Sequence, residues 1–159
     1  MQQKHQYFSI DDATKKLEYY CSYQERCHAE VVQKLQQLHM IPQAIDTIVV
    51  HLIENNFLNE ERFARSFARG KHRIKKWGKL RIVNELKFRG ISKYNIDSAL
   101  KEFTTEEYFE TFDTLADTTW NSIKESNLLK KKKKFCDFLI RKGYESNLIF
   151  EKCNDLSTE

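Results

Sequence analysis

Apolar positions along this chain fall into a pattern that recurs three times. Sliding the sequence against itself by 51 residues places Glu-Val-Val-Gln-Lys-Leu (30–35) over Arg-Ile-Val-Asn-Glu-Leu (81–86), and Ile45-Asp46 over Ile96-Asp97. A further shift of 53 brings in the C-terminal region. Val31, Ile82 and Phe135 then share a column, as do Val32, Val83 and Cys136, and Leu35, Leu86 and Leu139. Three more columns follow: Ile45, Ile96 and Ile149; Val49, Leu100 and Cys153; and Leu52, Phe103 and Leu156. Self-similarity at this period is the mark of a helical array.

Each unit reads as three helices. In the third helix Ile96, Ala99, Leu100 and Phe103 lie at i, i+3, i+4 and i+7, one face of a 3.6-residue period. Ile45, Ile48, Val49 and Leu52 repeat that spacing in the first unit. The opening helix of each unit is aromatic, with Leu17, Tyr20 and Tyr23, then Phe63 and Phe67, then Phe109, Phe112 and Trp120. Helical spacing makes these core residues in preference to a base-stacking surface. Gly90 and Gly143 stand in equivalent positions after the second helix, where a left-handed residue ends a helix at little steric cost. His39 takes that place in the first unit, and Pro42 suits the first turn of the helix that follows. Asn59 before Glu60-Glu61 reads as an N-cap with acids at the positive end of the helix dipole. The expected fold is all-α: tandem three-helix repeats, about nine helices, in an elongated, curved array. The expected boundaries are 10–57, 58–103 and 104–157, after an N-terminal tail at 1–9.

Composition narrows the alternatives. The 159 residues include four glycines and one proline, too few for the turns of a β-sandwich or the tight loops of a Rossmann sheet. No apolar run approaches the roughly 18 residues that span a bilayer, and the N-terminus leads into no signal-peptide core. The expectation is a cytoplasmic protein with no membrane partner. Cys21, Cys27, Cys136 and Cys153 follow no CxxC spacing and read as free thiols in a reducing compartment. Five histidines form no HExxH pattern, and Cys27-His28 lacks further ligands at zinc spacing. There is no glycine-rich phosphate loop, GxSxG or Walker lysine motif. Asp11-Asp12 and Glu60-Glu61 are explained by capping. The reading is a non-enzyme with no cofactor and no metal.

Charge adds the functional clue. Residues 1–58 carry a net −2, residues 59–103 a net +8 and residues 104–159 a net −2. Within 62–93, 12 basic residues face the single acid Glu85. A solvated helix face is the bland account of such a run. Because the surplus spans two helices, a polyanionic partner is favoured: nucleic acid or an acidic protein surface.

Asn-Phe-Leu-Asn-Glu-Glu-Arg-Phe-Ala (56–64) is followed by the basic stretch, Trp77-Gly78, Arg81-Ile82, Glu85-Leu86 and Arg89-Gly90-Ile91. That combination resembles the RecX family of recombinase regulators, and Arg26, His28, Glu30 and Lys34-Leu35 look like its first-repeat signature. The resemblance is specific over about residues 15–103 and weaker beyond, where the apolar columns and Gly143 agree. It implies a monomeric modulator that binds the groove of the RecA filament, limits filament growth, ATPase and strand exchange, and touches single- or double-stranded DNA weakly. A DNA-binding protein acting directly on phosphates is the alternative, and a plain helical scaffold is a third reading.

The candidate contact residues are Arg69, Lys71, Arg73, Lys75, Lys76, Trp77, Lys79, Arg81 and Arg89, with His72 in the same stretch. Arg69, Arg73 and Lys76 lie at i, i+4 and i+7, a single stripe if the helix continues. Gly78 allows a sharp turn between helices and a close backbone approach. Trp77 can stack on a base, fill a pocket of RecA or plug the gap between repeats. Lys130–Lys134 circle a helix, so most point to solvent, and a second polyanion contact there stays open.

Overall fold

The computed structural model describes residues 7–159, so residues 1–6 of the expected tail lie outside the described residues. Nine α-helices and no strand are found among the described residues. The first triad is α1 (Ile10–Tyr23), α2 (His28–Gln37) and α3 (Pro42–Glu54). The second is α4 (Glu60–Arg73), α5 (Lys79–Phe88) and α6 (Lys93–Ala99), the last extended by a 3-10 turn at Leu100–Glu102. The third is α7 (Thr105–Ser122), α8 (Leu128–Lys142) and α9 (Ser146–Ser157).

Local chemistry sets the helix ends. Ser9, Asn59, Ser92, Thr104 and Asn127 cap five helices by accepting a backbone N–H with the side chain. The second helix of every triad ends the same way. His39, Gly90 and Gly143 have φ of 60°, 75° and 98°. In each case the next N–H reaches back to a carbonyl of the same apolar column: Met40 to Leu35 at 3.1 Å, Ile91 to Leu86 at 3.1 Å, Tyr144 to Leu139 at 3.2 Å. This is a Schellman-type stop. His39 adopts it despite its Cβ, at the modest strain a non-glycine residue accepts there.

Three of the six repeat columns are buried in every triad, and the other three are buried only in part. Val31, Ile82, Phe135, Leu35, Leu86, Leu139, Ile45, Ile96 and Ile149 are all buried. The aromatic expectation holds in part: Phe63, Phe112 and Trp120 are buried, but Tyr23 and Phe109 are exposed. Tyr23 ends α1 on its outer face, and Phe109 is displaced by its neighbour Tyr108, which takes the inward position.

The apolar clusters do not follow the triads one by one. The first triad closes its own core around Leu17, Leu35, Ile48 and Leu52. The second and third share one continuous core from Phe63 through Leu86, Phe112 and Leu139 to Ile149. Polar contacts bridge the first junction. Arg62 Nε meets Glu25 at 2.6 Å, and the His28 N–H at the start of α2 donates to Glu60 at 3.1 Å. The chain exposes 10571 Å², about a quarter more than a compact monomer of this mass. Stacked triads leave that surplus.

The second junction is backbone against backbone. The Gly78 N–H donates to Lys142 O at 2.8 Å, and the Leu80 N–H to Gly143 O at 3.0 Å. The carbonyl end of α8 thus caps the amide end of α5, with the two helix dipoles head to tail. A Cβ on Gly78 would collide with the Gly143 carbonyl and lie 2.6 Å from the Tyr144 N. A Cβ on Gly143 would strike Arg81. The close approach expected of Gly78 is therefore made within the chain, and its own backbone is extended at φ −79°. Lys76, at φ 59°, makes the turn instead.

Two glycine substitutions should act in opposite directions. Gly70 lies inside α4 with nothing near its missing side chain, so Gly70→Ala should stabilise by about 0.5–1 kcal/mol. Gly78→Ala must push two backbones apart and should cost about 2 kcal/mol. Thermal melts followed by circular dichroism measure both. Equal melting temperatures for the two variants would refute the docking.

Candidate polyanion-binding face

The structure sorts the basic residues of the second triad by what stands opposite them. Arginines along α4 find carboxylates. Arg62 pairs with Glu25 at 2.6 Å, Arg65 with Glu61 at 3.4 Å, Arg69 with Glu102 at 3.2 Å and Arg73 with Glu107 at 3.9 Å. Glu102 lies in the 3-10 turn and Glu107 in the first turn of α7, so Arg69 ties α4 to the end of its own triad and Arg73 ties it to the start of the third. At the end of α5, Arg89 pairs with Glu85 at 2.9 Å.

Lys71, Lys75, Lys76, Lys79 and Arg81 have no carboxylate within ion-pair distance among the described residues. Trp77 brings two of them together. Arg81 lies 4.0 Å and Lys71 4.9 Å from the indole centroid, and Phe67 meets the indole edge-on at 6.1 Å. Lys71 also covers Phe67 at 5.5 Å, and Arg89 covers the same ring at 4.8 Å. The result is a ladder of cations and rings running Arg89, Phe67, Lys71, Trp77, Arg81. Ring faces attract cations through their quadrupole and leave the outer N–H groups unspent.

The third triad adds the Lys142 ammonium and the Arg141 carbonyl. The Arg81 Nη1 donates to Arg141 O at 3.1 Å, and the Lys142 Nζ donates to Lys75 O at 2.9 Å. Arg141 and Lys142 likewise lack a carboxylate partner among the described residues. Partial burial, then the charges of Arg81 and Lys75, pull the Lys142 ammonium below its ordinary pKa. Like charges held this close without an acid create an unbalanced positive potential, which an anion relieves.

The remaining candidates lie elsewhere. The stripe of Arg69, Arg73 and Lys76 does not form, because α4 ends at Arg73 and the Lys76 Nζ folds back to Arg73 O at 2.7 Å. Lys79 leans over the Tyr108 ring at 4.7 Å. Its N–H donates to the Tyr108 hydroxyl at 3.1 Å, which in turn donates to Glu145 at 2.7 Å. His72 is buried, stacked on Phe103 at 4.3 Å and Tyr108 at 5.4 Å. Its Nδ1 lies 2.9 Å from Trp77 O, a carbonyl that can only accept, so Nδ1 carries the proton and Nε2 is left without a partner. This bond fixes the loop that presents the indole. Of the lysine run, Lys133 meets Asp137 at 2.7 Å, Lys134 meets Glu125 at 3.2 Å and Lys131 covers Trp120 at 4.3 Å.

Sequence reasoning missed Arg141 and Lys142. The repeat register held the signal, because Lys142-Gly143 is the counterpart of Arg89-Gly90. No helix among the described residues is long and apolar enough to cross a membrane, and no group of three potential metal ligands occurs among them.

Comparison with known proteins places these features. The family model for the second three-helix domain of RecX matches residues 59–100, and that for its third three-helix domain matches residues 106–152. Regulatory protein RecX of Bacillus cereus (strain AH820) is 27% identical over 130 residues, 82% of this chain and 48% of its own length. The Bacillus cytotoxicus protein of the same name is 26% identical over the same span. The chain therefore spans about half the length of the curated relatives it matches. The crystal structure of RecX from Lactobacillus salivarius superposes with a TM-score of 0.78 at 26% identity, covering 94% of this chain and 97% of that one. A second crystal structure of regulatory protein RecX gives 0.77 at 25% identity, covering 92% and 73%.

The buried imidazole behind Trp77 predicts an acid-sensitive fold. Burial lowers the His72 pKa, so the folded protein holds it neutral where the unfolded chain begins to protonate. Stability is then complete above the unfolded value near 6.5 and declines as pH falls below it, by at most about 1.4 kcal/mol per pH unit. Thermal melts at pH 7.5 and 5.5 should show the loss. His72→Phe should flatten it while costing some stability at both pH values.

Proposed function

The chain belongs to the RecX family, and from that premise we propose that it is a non-catalytic regulator of the RecA recombinase. It acts in the cytoplasm, as a monomer, in the control of DNA repair and recombination. It binds the groove of the RecA–DNA filament and restrains filament growth, ATPase and strand exchange. The observation that carries this reading is the face of Lys71, Lys75, Trp77 and Arg81, completed by Lys142 and its neighbour Arg141, where no cation has a carboxylate within ion-pair distance among the described residues. Such a face suits a surface built of carboxylates and phosphates. Arginine forks onto either, and lysine supplies a compact charge. Arg69, Arg73 and Arg89 serve the reading indirectly, since their carboxylate partners keep α4, α5 and α7 in place.

A second reading is direct binding to DNA phosphates without recombinase. The exposed edge of the half-buried Trp77 among cations favours it, because stacking plus charge is how single strands are held.

RecA ATPase on single-stranded DNA, with and without this protein, tests the first reading. Wild-type protein should slow the ATPase at substoichiometric amounts, because one bound regulator acts on many protomers. Lys71→Gln, Lys75→Gln and Arg141→Gln together should lose most of that inhibition and leave the fold intact. Arg69→Gln with Arg73→Gln should inhibit nearly as wild type, at a stability cost below about 1 kcal/mol per half-exposed pair. Direct phosphate contact would flatten the slope of log K against log salt by about 0.7 per lost contact on single strands. A triple variant that stays folded and inhibits RecA normally would place the interface elsewhere.

A further inference from the structure

The first triad carries a second cationic surface that the proposed function does not use. Residues 1–58 hold five lysines and arginines against seven acids, yet four of the five (Lys15, Lys16, Arg26 and Lys34) line one groove between α1 and α2. The groove has a volume of about 480 Å³, and the other residues lining it are tyrosines. No carboxylate lines it. In a triad of net negative charge, this concentration is a local arrangement and not overflow from a basic protein.

Its rings are placed to receive another ring. Tyr19 and Tyr23, one turn apart on α1, are 73% and 72% exposed, so neither serves the core. Their centroids are 6.5 Å apart with the planes tilted by 33°. Inserting one flat base between two rings needs about twice the 3.4 Å stacking rise of a strand, close to the observed centroid spacing, so the two exposed phenols must turn parallel to admit it. Tyr20 forms the floor. The Arg26 guanidinium lies 3.7 Å over its ring, held by a bond from Nε to Tyr20 O at 3.1 Å and by Glu30 at 3.6 Å. Lys34 reaches the same ring at 5.7 Å. Lys15 and Lys16 have no carboxylate partner among the described residues, and Lys16 covers the Phe8 ring at 4.8 Å. Flat slots flanked by free ammonium groups match a base and its neighbouring phosphates. An acidic peptide would use the charges and leave the slot empty.

We propose that this groove is a single-strand nucleic-acid site, with one base between Tyr19 and Tyr23 and the adjacent phosphates on Lys15, Lys16 and Lys34. It is separate from the Trp77 face and independent of the RecA reading.

The test is fluorescence anisotropy of the full chain, without RecA, on a labelled oligothymidylate and on a strand of equal length whose sites are abasic. Tyr19→Ala with Tyr23→Ala should weaken oligothymidylate binding about tenfold, the scale of one stacked base. Binding to the abasic strand should not change, and Tyr19→Phe with Tyr23→Phe should bind both strands as wild type. Both tyrosines are exposed, so the helical circular dichroism of the variants should match wild type. Unchanged oligothymidylate binding by the alanine pair overturns the site, as does an equal loss on the abasic strand. So does wild-type protein that binds oligoglutamate but not oligothymidylate.

Discussion

The contact between Gly78 and Gly143 governs how the second and third triads meet. Two backbones touch there with no side chain between them, and the hydrogen bonds from Gly78 N–H to Lys142 O and Leu80 N–H to Gly143 O are possible only at that distance. Much follows from it. The α8 carbonyls satisfy amides at the start of α5 that would otherwise need water or a capping side chain, which glycine cannot supply. The Tyr144 hydroxyl comes within 2.8 Å of Lys76 O and closes the turn after α4. Lys142 arrives beside Lys75 and Arg81, so the same contact that joins the triads also assembles the cationic face.

That face illustrates why counting basic residues is a poor guide to where positive charge is left unbalanced. The second triad has a net charge of +8, but its α4 arginines are engaged with Glu25, Glu61, Glu102 and Glu107. An arginine already paired with a carboxylate must give up that pair to bind a phosphate, which subtracts up to about 1 kcal/mol from what it can contribute. Lys71 and Arg81, stacked on Trp77, have no carboxylate partner among the described residues and are already partly ordered by the ring. Pairing, more than exposure, separates the cations that tie helices together from those left without an acid in this molecule.

Much of this architecture was legible in the residues. The six apolar columns fixed three triads, and the columns at 31, 35 and 45 are buried in every one. Even the His39 position, where a glycine stands in the other two units, shares the left-handed stop, because the cap is set by the Leu35, Leu86 and Leu139 carbonyls and tolerates a side chain. The candidate site was legible only in part. Helical spacing carried the Arg69, Arg73 and Lys76 stripe past Arg73, but the helix stops there and the chain turns at Lys76. The acids opposite Arg69 and Arg73 lie 33 and 34 residues further along the chain, and ion pairs between distant elements leave no local pattern. His72 looked like one more basic surface residue because its burial depends on Phe103 and Tyr108, which approach it only in three dimensions.

The two junctions differ in kind, and that difference sets where the array can flex. Between the second and third triads lie a shared apolar core and a backbone dock, which leave little room for relative motion because interiors are packed as tightly as crystals. Between the first and second, the cores are separate and the bridges are Arg62 with Glu25, His28 with Glu60, and the buried Cys27. Exposed and half-exposed ion pairs hold weakly and are screened by salt. The first triad is therefore the part whose orientation yields at least cost, while the Trp77 face rides on the rigid pair. Three copies of one helical unit thus give the chain one junction that is fixed and one that yields.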